Sequence, residues 1–267
     1  MPDLVLDPAS FGCPGGRPVR VAGASLLCPA GIGVDGLGDG SPGPVPGFRA
    51  RSFIADRKRI KLMTRPVQLG VSAVGLAVDA AAAAPLPPPP RRGMFVGASP
   101  QAGDERDLEP ALREASADGG FSLGRFAREG IPLIHPLWLV RGLSNNVLGF
   151  ASAIHDVQGV NASYCDGALG GWTALVEGAR AIAEGRADWV VAGGSDALAG
   201  ADAVLGHPGG DGAAFVVLVP GDGPGRPLGA PDELADASAE LGDLGAATWP
   251  VAWVRAHGLV SAPVAGA

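Results

Sequence analysis

The residues of this chain that could do nucleophilic or metal chemistry are few: Cys13, Cys28 and Cys165, and His135, His155, His207 and His257. No two cysteines stand at CxxC spacing. A zinc site and a dithiol pair are therefore not written here, and an odd, sparse set is no disulfide framework. The histidines are scattered, without HExxH or His-x-His spacing, so no metal site and no cofactor is expected. What remains is nucleophilic chemistry on a thiolate, which needs a thiol of lowered pKa at a helix N-terminus or beside a base. Cys165 directly precedes a helical stretch, and His155 and His207 are the candidates for its base.

The elements that must position these groups read as strands alternating with helices. Residues 19–27 are apolar and β-branched and predict a buried first strand. Residues 56–62 (DRKRIKL) are the most basic stretch. They precede a helix reaching about residue 84, with Val67, Val71, Val74 and Leu76 as its apolar face. This basic run is either a solvated helix start or a docking patch for an acidic carrier. Residues 85–92 (PLPPPPRR) predict a stiff, exposed connection. Residues 94–98 predict a second strand, and residues 100–130 a loop with one helix. Residues 131–142 (IPLIHPLWLVRG) are apolar but hold two prolines, so they predict an irregular segment hidden against its own core or another chain.

From residue 143 the pattern is regular. Ser144, Asn145 and Asn146 can cap a helix to about His155. Residues 159–164 predict a strand, and residues 168–184 an Ala-rich helix stopped by Gly185. Residues 188–193 and 212–219 predict buried strands, and residues 245–256 a short helix or strand carrying Trp249 and Trp253. The sum is an α/β layer with a central, mostly parallel sheet. The expected organisation is a loose arm over residues 1–16, one domain over 17–219, a linker over 220–240 and a C-terminal remnant over 241–267.

Composition closes off other classes. Hydrophobic residues make up 47% of 267, enough to bury a sizeable core. The net charge of −7 without a long basic run disfavours nucleic acid or an anionic membrane as partner. Residues 71–85 are apolar but short and interrupted by Asp79, a buried helix and not a membrane span. No basic region followed by an apolar stretch opens the chain, so a soluble cytoplasmic protein is expected.

Residues 159–219 resemble the N-terminal half of β-ketoacyl synthases, proteins of the thiolase fold. The residues that carry the resemblance are GVNASYCDGALGGWTALVEGARAIAEGRADWVVAGGSDAL, followed by GGDGAAFVVLV. They show in order a strand, an elbow, a long Ala-rich helix, a GxAD turn at Gly185-Arg186-Ala187-Asp188, a strand ending at Ala192-Gly193-Gly194, and a glycine-rich strand from Gly210. Asp211 stands where the family usually has Glu. Upstream, PLWLVRGLSNNVLG resembles the segment before the nucleophile strand. The resemblance implies a layered α-β-α thiolase-like domain, shortened at its C-terminus.

Where the family places its nucleophilic Cys, three residues before the glycine matched by Gly171, this chain has Ala168. A methyl group forms no thioester. Cys165 lies three residues earlier and reads as a buried structural thiol. The family's HGTGT-like loop is absent, and residues 241–247 (LGDLGAA) resemble its GHxxGAAG segment without a His. No catalytic residue is expected, and the resemblance implies a non-catalytic subunit of the chain-length-factor type. Such subunits are similar to those of type II polyketide and aryl-polyene systems. They pair with an active ketosynthase subunit as a heterodimer or heterotetramer and meet an acyl carrier protein through the complex. Gly159, Val160, Asn161, Ala162, Ser163 and Tyr164 are expected to form the interface strand. Leu133, Ile134, Leu137, Trp138 and Leu139 are expected to line or close a tunnel for the growing chain. Loss of much of the second half is expected to bare apolar surface. Two other readings stay open: a Cys165-dependent acyltransferase and a homodimeric acyl-binding scaffold.

Overall fold

The computed structural model describes residues 4–33, 40–100, 107–234 and 238–259. Parts of the expected arm (1–3), loops (34–39, 101–106), linker (235–237) and C-terminal remnant (260–267) lie outside the described residues. The chain opens with β1 (Val5–Leu6), β2 (Val19–Cys28) and β3 (Gly31–Ile32). A single turn, α1 (Arg57–Ile60), is capped by Asp56, whose carboxylate accepts from Lys58 N at 2.9 Å. It leads into α2 (Arg65–Ala80), started by Pro66 in its first turn.

After the proline stretch come β4 (Arg92–Gly97), α3 (Glu109–Ala115), and the short turns α4 (Leu123–Arg125) and α5 (Trp138–Arg141). Then follow α6 (Asn146–His155), β5 (Asn161–Tyr164), α7 (Leu169–Ala183) and β6 (Trp189–Ala197). The single turn α8 (Asp202–Leu205) leads to β7 (Asp211–Pro220), and α9 (Ser238–Leu241) and α10 (Thr248–Ala256) close the chain. The expected Asn cap of α6 is not made: Asn145 forms no side-chain cap bond, and Asn146 Nδ2 donates instead to Val140 O and Arg141 O.

The strands form one sheet in the order β1-β2-β7-β6-β4-β5, with β3 on the end of β2. Both faces are covered. Met94 and Val96 of β4 lie on the side of α2 and α6 with Val191, Phe215 and Val217, while Phe95 faces α7 with Val190, Val216 and Leu218. This period of two with apolar residues on both faces explains the continuous apolar runs in the sequence.

The sheet is mixed, which corrects the expectation of mostly parallel strands. Only β4 with β5 and β4 with β6 run parallel; β1 with β2, β2 with β3, β2 with β7, and β6 with β7 are antiparallel. The reason lies in the connection. A parallel return from β6 would need a crossover as long as the strand, and α8 offers a single turn. The chain therefore turns back at the same end of the sheet.

The ends of the chain also differ from the reading as arm and linker. Leu4, Leu6 and Phe11 are buried, and β1 pairs with β2. Residue Leu228, in the expected linker, is buried as well. Short segments carrying several large apolar residues pack when a neighbouring face is uncovered. The arm packs on β2 and α7, and Leu228 meets α10, whose Trp253 Nε1 donates to Leu228 O.

Candidate functional site

The N-terminus of α7 is where the family resemblance places a nucleophile. Ala168 is its N-cap residue and offers no side-chain hydrogen bond. The first turn is closed by Leu169 N to Asp166 O at 3.0 Å and Gly170 N to Gly167 O at 3.1 Å. The helix is held by backbone packing where no side chain fits. A methyl on Gly171 would overlap Ala246 O and lie 2.5 Å from Pro250 Cγ. One on Gly194 would overlap Ala246 O, and one on Gly97 would overlap Gly171 N. The ends of β4 and β6, the start of α7 and the C-terminal turn at Ala246 thus meet main chain to main chain.

Cys165 sits in the turn between β5 and α7, and it is exposed. This corrects its reading as a buried thiol: the turn places it outside the sheet, beyond the last residue of β5. Its Sγ contacts Ser99 O at 3.9 Å and makes no other hydrogen bond among the described residues. Neither candidate base reaches it. His155 ends α6, half-buried, and burial pushes its pKa down against the pull of Asp79. His207 is exposed, 3.8 Å from the Asp243 carboxylate. Neither histidine is hydrogen-bonded to Sγ to take its proton, so no Cys–His pair is formed among the described residues.

The polar centre of this end of the sheet is a group that the sequence reading passed over. Asp196, at the end of β6, is buried. Its Oδ1 accepts from Ala197 N at 3.0 Å, its Oδ2 accepts from Ala246 N at 3.3 Å, and it is hydrogen-bonded to Ser99 Oγ. Burial raises its pKa; the Ser99 bond and the two amides offset part of that. The carboxyl ties the loop after β4 to the C-terminal turn beside α7. An acidic residue inside the apolar run VVAGGSDAL was the signal available in the sequence. Nearby, Asp243 Oδ1 accepts from Gly245 N at 2.8 Å, and Asp211 is buried and paired with Arg65 at 2.7 Å. Among the described residues, no group of three or more His, Cys, Asp or Glu could hold a metal ion.

The residues expected at an interface fall at the open edge of the sheet. β5 is the last strand and pairs only with β4. Asn161 is exposed, and Ala162, Ser163 and Tyr164 are half-buried. Gly159 and Val160 lie before the strand but join its ladder, with Gly159 N on Arg92 O at 2.8 Å and Met94 N on Val160 O at 3.0 Å. The apolar segment lies on the surface: Leu133, Leu137 and Leu139 are exposed, Leu139 by 73%, while Ile134 and Trp138 are half-buried. Burial in its own core, one of the two fates expected for it, does not occur. On the basic stretch, Arg57, Lys58 and Lys61 are exposed, as are Arg49 and Arg51 upstream, and these five form no salt bridge among the described residues. No helix among the described residues is long and apolar enough to cross a membrane.

No protein-family model matches the chain. No curated protein matches it. Solved structures do. One is a type II polyketide synthase acyl-carrier protein in complex with its ketosynthase bound to the hexaketide: TM-score 0.60, 21% identity, covering 77% of this chain and 63% of that one. The ishigamide ketosynthase/chain length factor gives 0.55 at 18% identity, covering 79% and 64%. The ketosynthase ApeO in complex with its chain length factor ApeC, from Xenorhabdus doucetiae, gives 0.52 at 14% identity, covering 78% and 59%. The chain therefore spans about three fifths of the length of these relatives. Its fold is the thiolase-like α/β fold of the ketosynthase and chain-length-factor structures.

Proposed function

We propose that this chain is a non-catalytic subunit of the chain-length-factor type. It pairs with an active β-ketoacyl-carrier-protein synthase and helps shape the tunnel for a growing polyketide, polyene or fatty acyl chain. The observation that carries this reading is Ala168, a methyl at the head of α7 where the family chemistry requires a thiolate. The missing base beside Cys165 agrees with it. The partner docks along the open edge of β5, by strand addition, with the exposed side chains of residues 131–143 buried in the contact. Leu133, Ile134, Leu137, Trp138 and Leu139 then close one side of the tunnel. The acyl carrier approaches through the complex, and the free cations Arg49, Arg51, Arg57, Lys58 and Lys61 suit its acidic surface.

Co-expression with an active type II β-ketoacyl-carrier-protein synthase, followed by size-exclusion chromatography with mass determination, tests the reading. A one-to-one complex is expected. A well-folded homodimer that ignores the ketosynthase overturns it. The exposure of Cys165 keeps one second reading in play, an acyltransferase acting through that thiol. Stoichiometric alkylation of Cys165 at neutral pH by an equimolar electrophile would favour it.

A further inference from the structure

Helix α10 packs on α7, β2 and β7, and Thr248, Pro250, Val251, Ala252, Trp253 and Val254 are all buried. A strap (residues 221–234) reaches the helix through Leu228, and the arm (residues 4–13), far away in sequence, holds the strap against β2 and α7. They are joined to each other and to the helix by a continuous run of hydrogen bonds. Trp253 Nε1 donates to Leu228 O at 2.9 Å in a buried site. Leu228 N donates to Ser10 Oγ at 2.9 Å, and Ser10 Oγ donates to Asp7 O at 2.7 Å. Asp7 N donates to Arg226 O at 2.7 Å and Arg226 N to Val5 O at 2.8 Å, a short parallel bridge that continues the sheet. The arm is anchored in turn by Val21 N on Leu4 O at 3.0 Å and by Arg180 Nε on Phe11 O at 2.7 Å. Leu4, Leu6, Phe11 and Leu228 belong to the same buried cluster as Trp253 and Val254.

We infer that arm and strap form a clasp that closes over α10 and completes this layer from within the chain, so that the chain folds by itself and meets any partner as a finished subunit. A chain that covers its own central helix has no need of a partner's side chains to bury it. Association then proceeds between preformed surfaces at the opposite edge of the sheet. The clasp does not depend on the ketosynthase reading; only the identity of the partner does.

Hydrogen exchange read by mass spectrometry on the full chain, expressed alone, tests the clasp. Peptides spanning residues 222–230 are expected to be protected together with those of α10. Trp253→Phe, which keeps a ring in place and leaves Leu228 O unpaired, is expected to speed exchange in both by about tenfold. Ser10→Ala leaves α10 untouched and is expected to release arm and strap in the same way, guarding against a tryptophan variant that simply misfolds. A strap that exchanges like free chain while α10 stays protected overturns the inference, as does a chain that is unfolded alone. A failed co-purification with the ketosynthase, beside a protected strap, would sink the proposed function and leave the clasp standing.

Discussion

Asp188 Oδ2 lies 2.7 Å from Arg91 Nε, bracing the start of β6 against the end of the proline stretch. Asp188 Oδ1 also lies 2.9 Å from Arg17 Nη2, which brings in the stretch leading into β2. The Arg91 hydrogen bond, with Arg17 second, holds the Asp188 carboxyl down to about 2. A depressed carboxyl contributes stability that is present above its unfolded value of about 3.9 and is lost as pH falls through the folded one. Acid titration followed by circular dichroism should therefore show a loss between about pH 4 and 2 that Asp188→Asn lacks. All three side chains are about one third exposed, so screening leaves about 1 kcal/mol for the variant to lose at pH 7.

Gly171→Ala sets helix propensity against packing. In an open helix the change gains about 1 kcal/mol. Here the new methyl overlaps the Ala246 carbonyl and meets Pro250, both backbone-fixed. Overpacking wins, and a net loss of about 2–3 kcal/mol is expected in thermal or urea unfolding. A stabilised variant would show that the C-terminal turn does not sit on α7.

Asp196 gives the opposite pH dependence to Asp188. Its raised pKa means that the folded state favours the neutral carboxyl, so stability declines as pH rises from about 3.9 toward the folded value. Asp196→Asn keeps the shape without the charge. Its stability relative to the parent is expected to improve over that window and then stay level. Asp196→Ala strands Ser99 Oγ and the Ala246 amide and should cost about 1–3 kcal/mol.

Ala168→Cys returns a thiol to the head of α7, half-exposed and aligned with the helix dipole. Peptide mass mapping after brief iodoacetamide treatment at pH 7 should find residue 168 alkylated ahead of Cys165, with the buried Cys13 and Cys28 untouched. Condensation of malonyl and acyl carriers should stay at background, since no histidine contacts this end of the helix to assist decarboxylation.

Leu139→Asp separates interface from core. At 73% exposure the change should move the melting temperature by little, within about 0.5 kcal/mol of stability. The same substitution should abolish co-purification with the ketosynthase. Retained binding would place the docking surface elsewhere.

Much of this was legible because both faces of the sheet are buried. Residues 19–27 and 212–219 read as strands from their unbroken apolar runs, and the helix over 168–184 from its small-residue face and its glycine stop. Strand direction was not legible, since the apolar run of a doubly covered strand is the same whichever way its neighbour points. The packed arm escaped for another reason: Leu4 to Leu6 is too short an apolar run, set between Asp3 and Asp7 in a Pro- and Gly-rich stretch, and only the folded β2 and α7 give it and Phe11 a surface to cover. At the site, the motif located the helix head at Ala168. Asp196 and Ser99 gained their roles only when β4 and β6 came side by side, a juxtaposition no local pattern encodes.

The pairing of β2 with β7 also fixes when the protein can fold. Ser25 and Phe215, hydrogen-bonded across the middle of the sheet, are 190 positions apart. At ribosomal speeds of about 5–20 residues per second, β2 emerges on the order of 10–40 s before its neighbour exists. Through that interval an apolar ten-residue strand has only the two-residue strands β1 and β3 to pair with, and the long edge that β7 will cover stays open. The nascent chain is thus a natural client for chaperones, and slowed translation between codons 30 and 210 is the condition under which this protein should aggregate most.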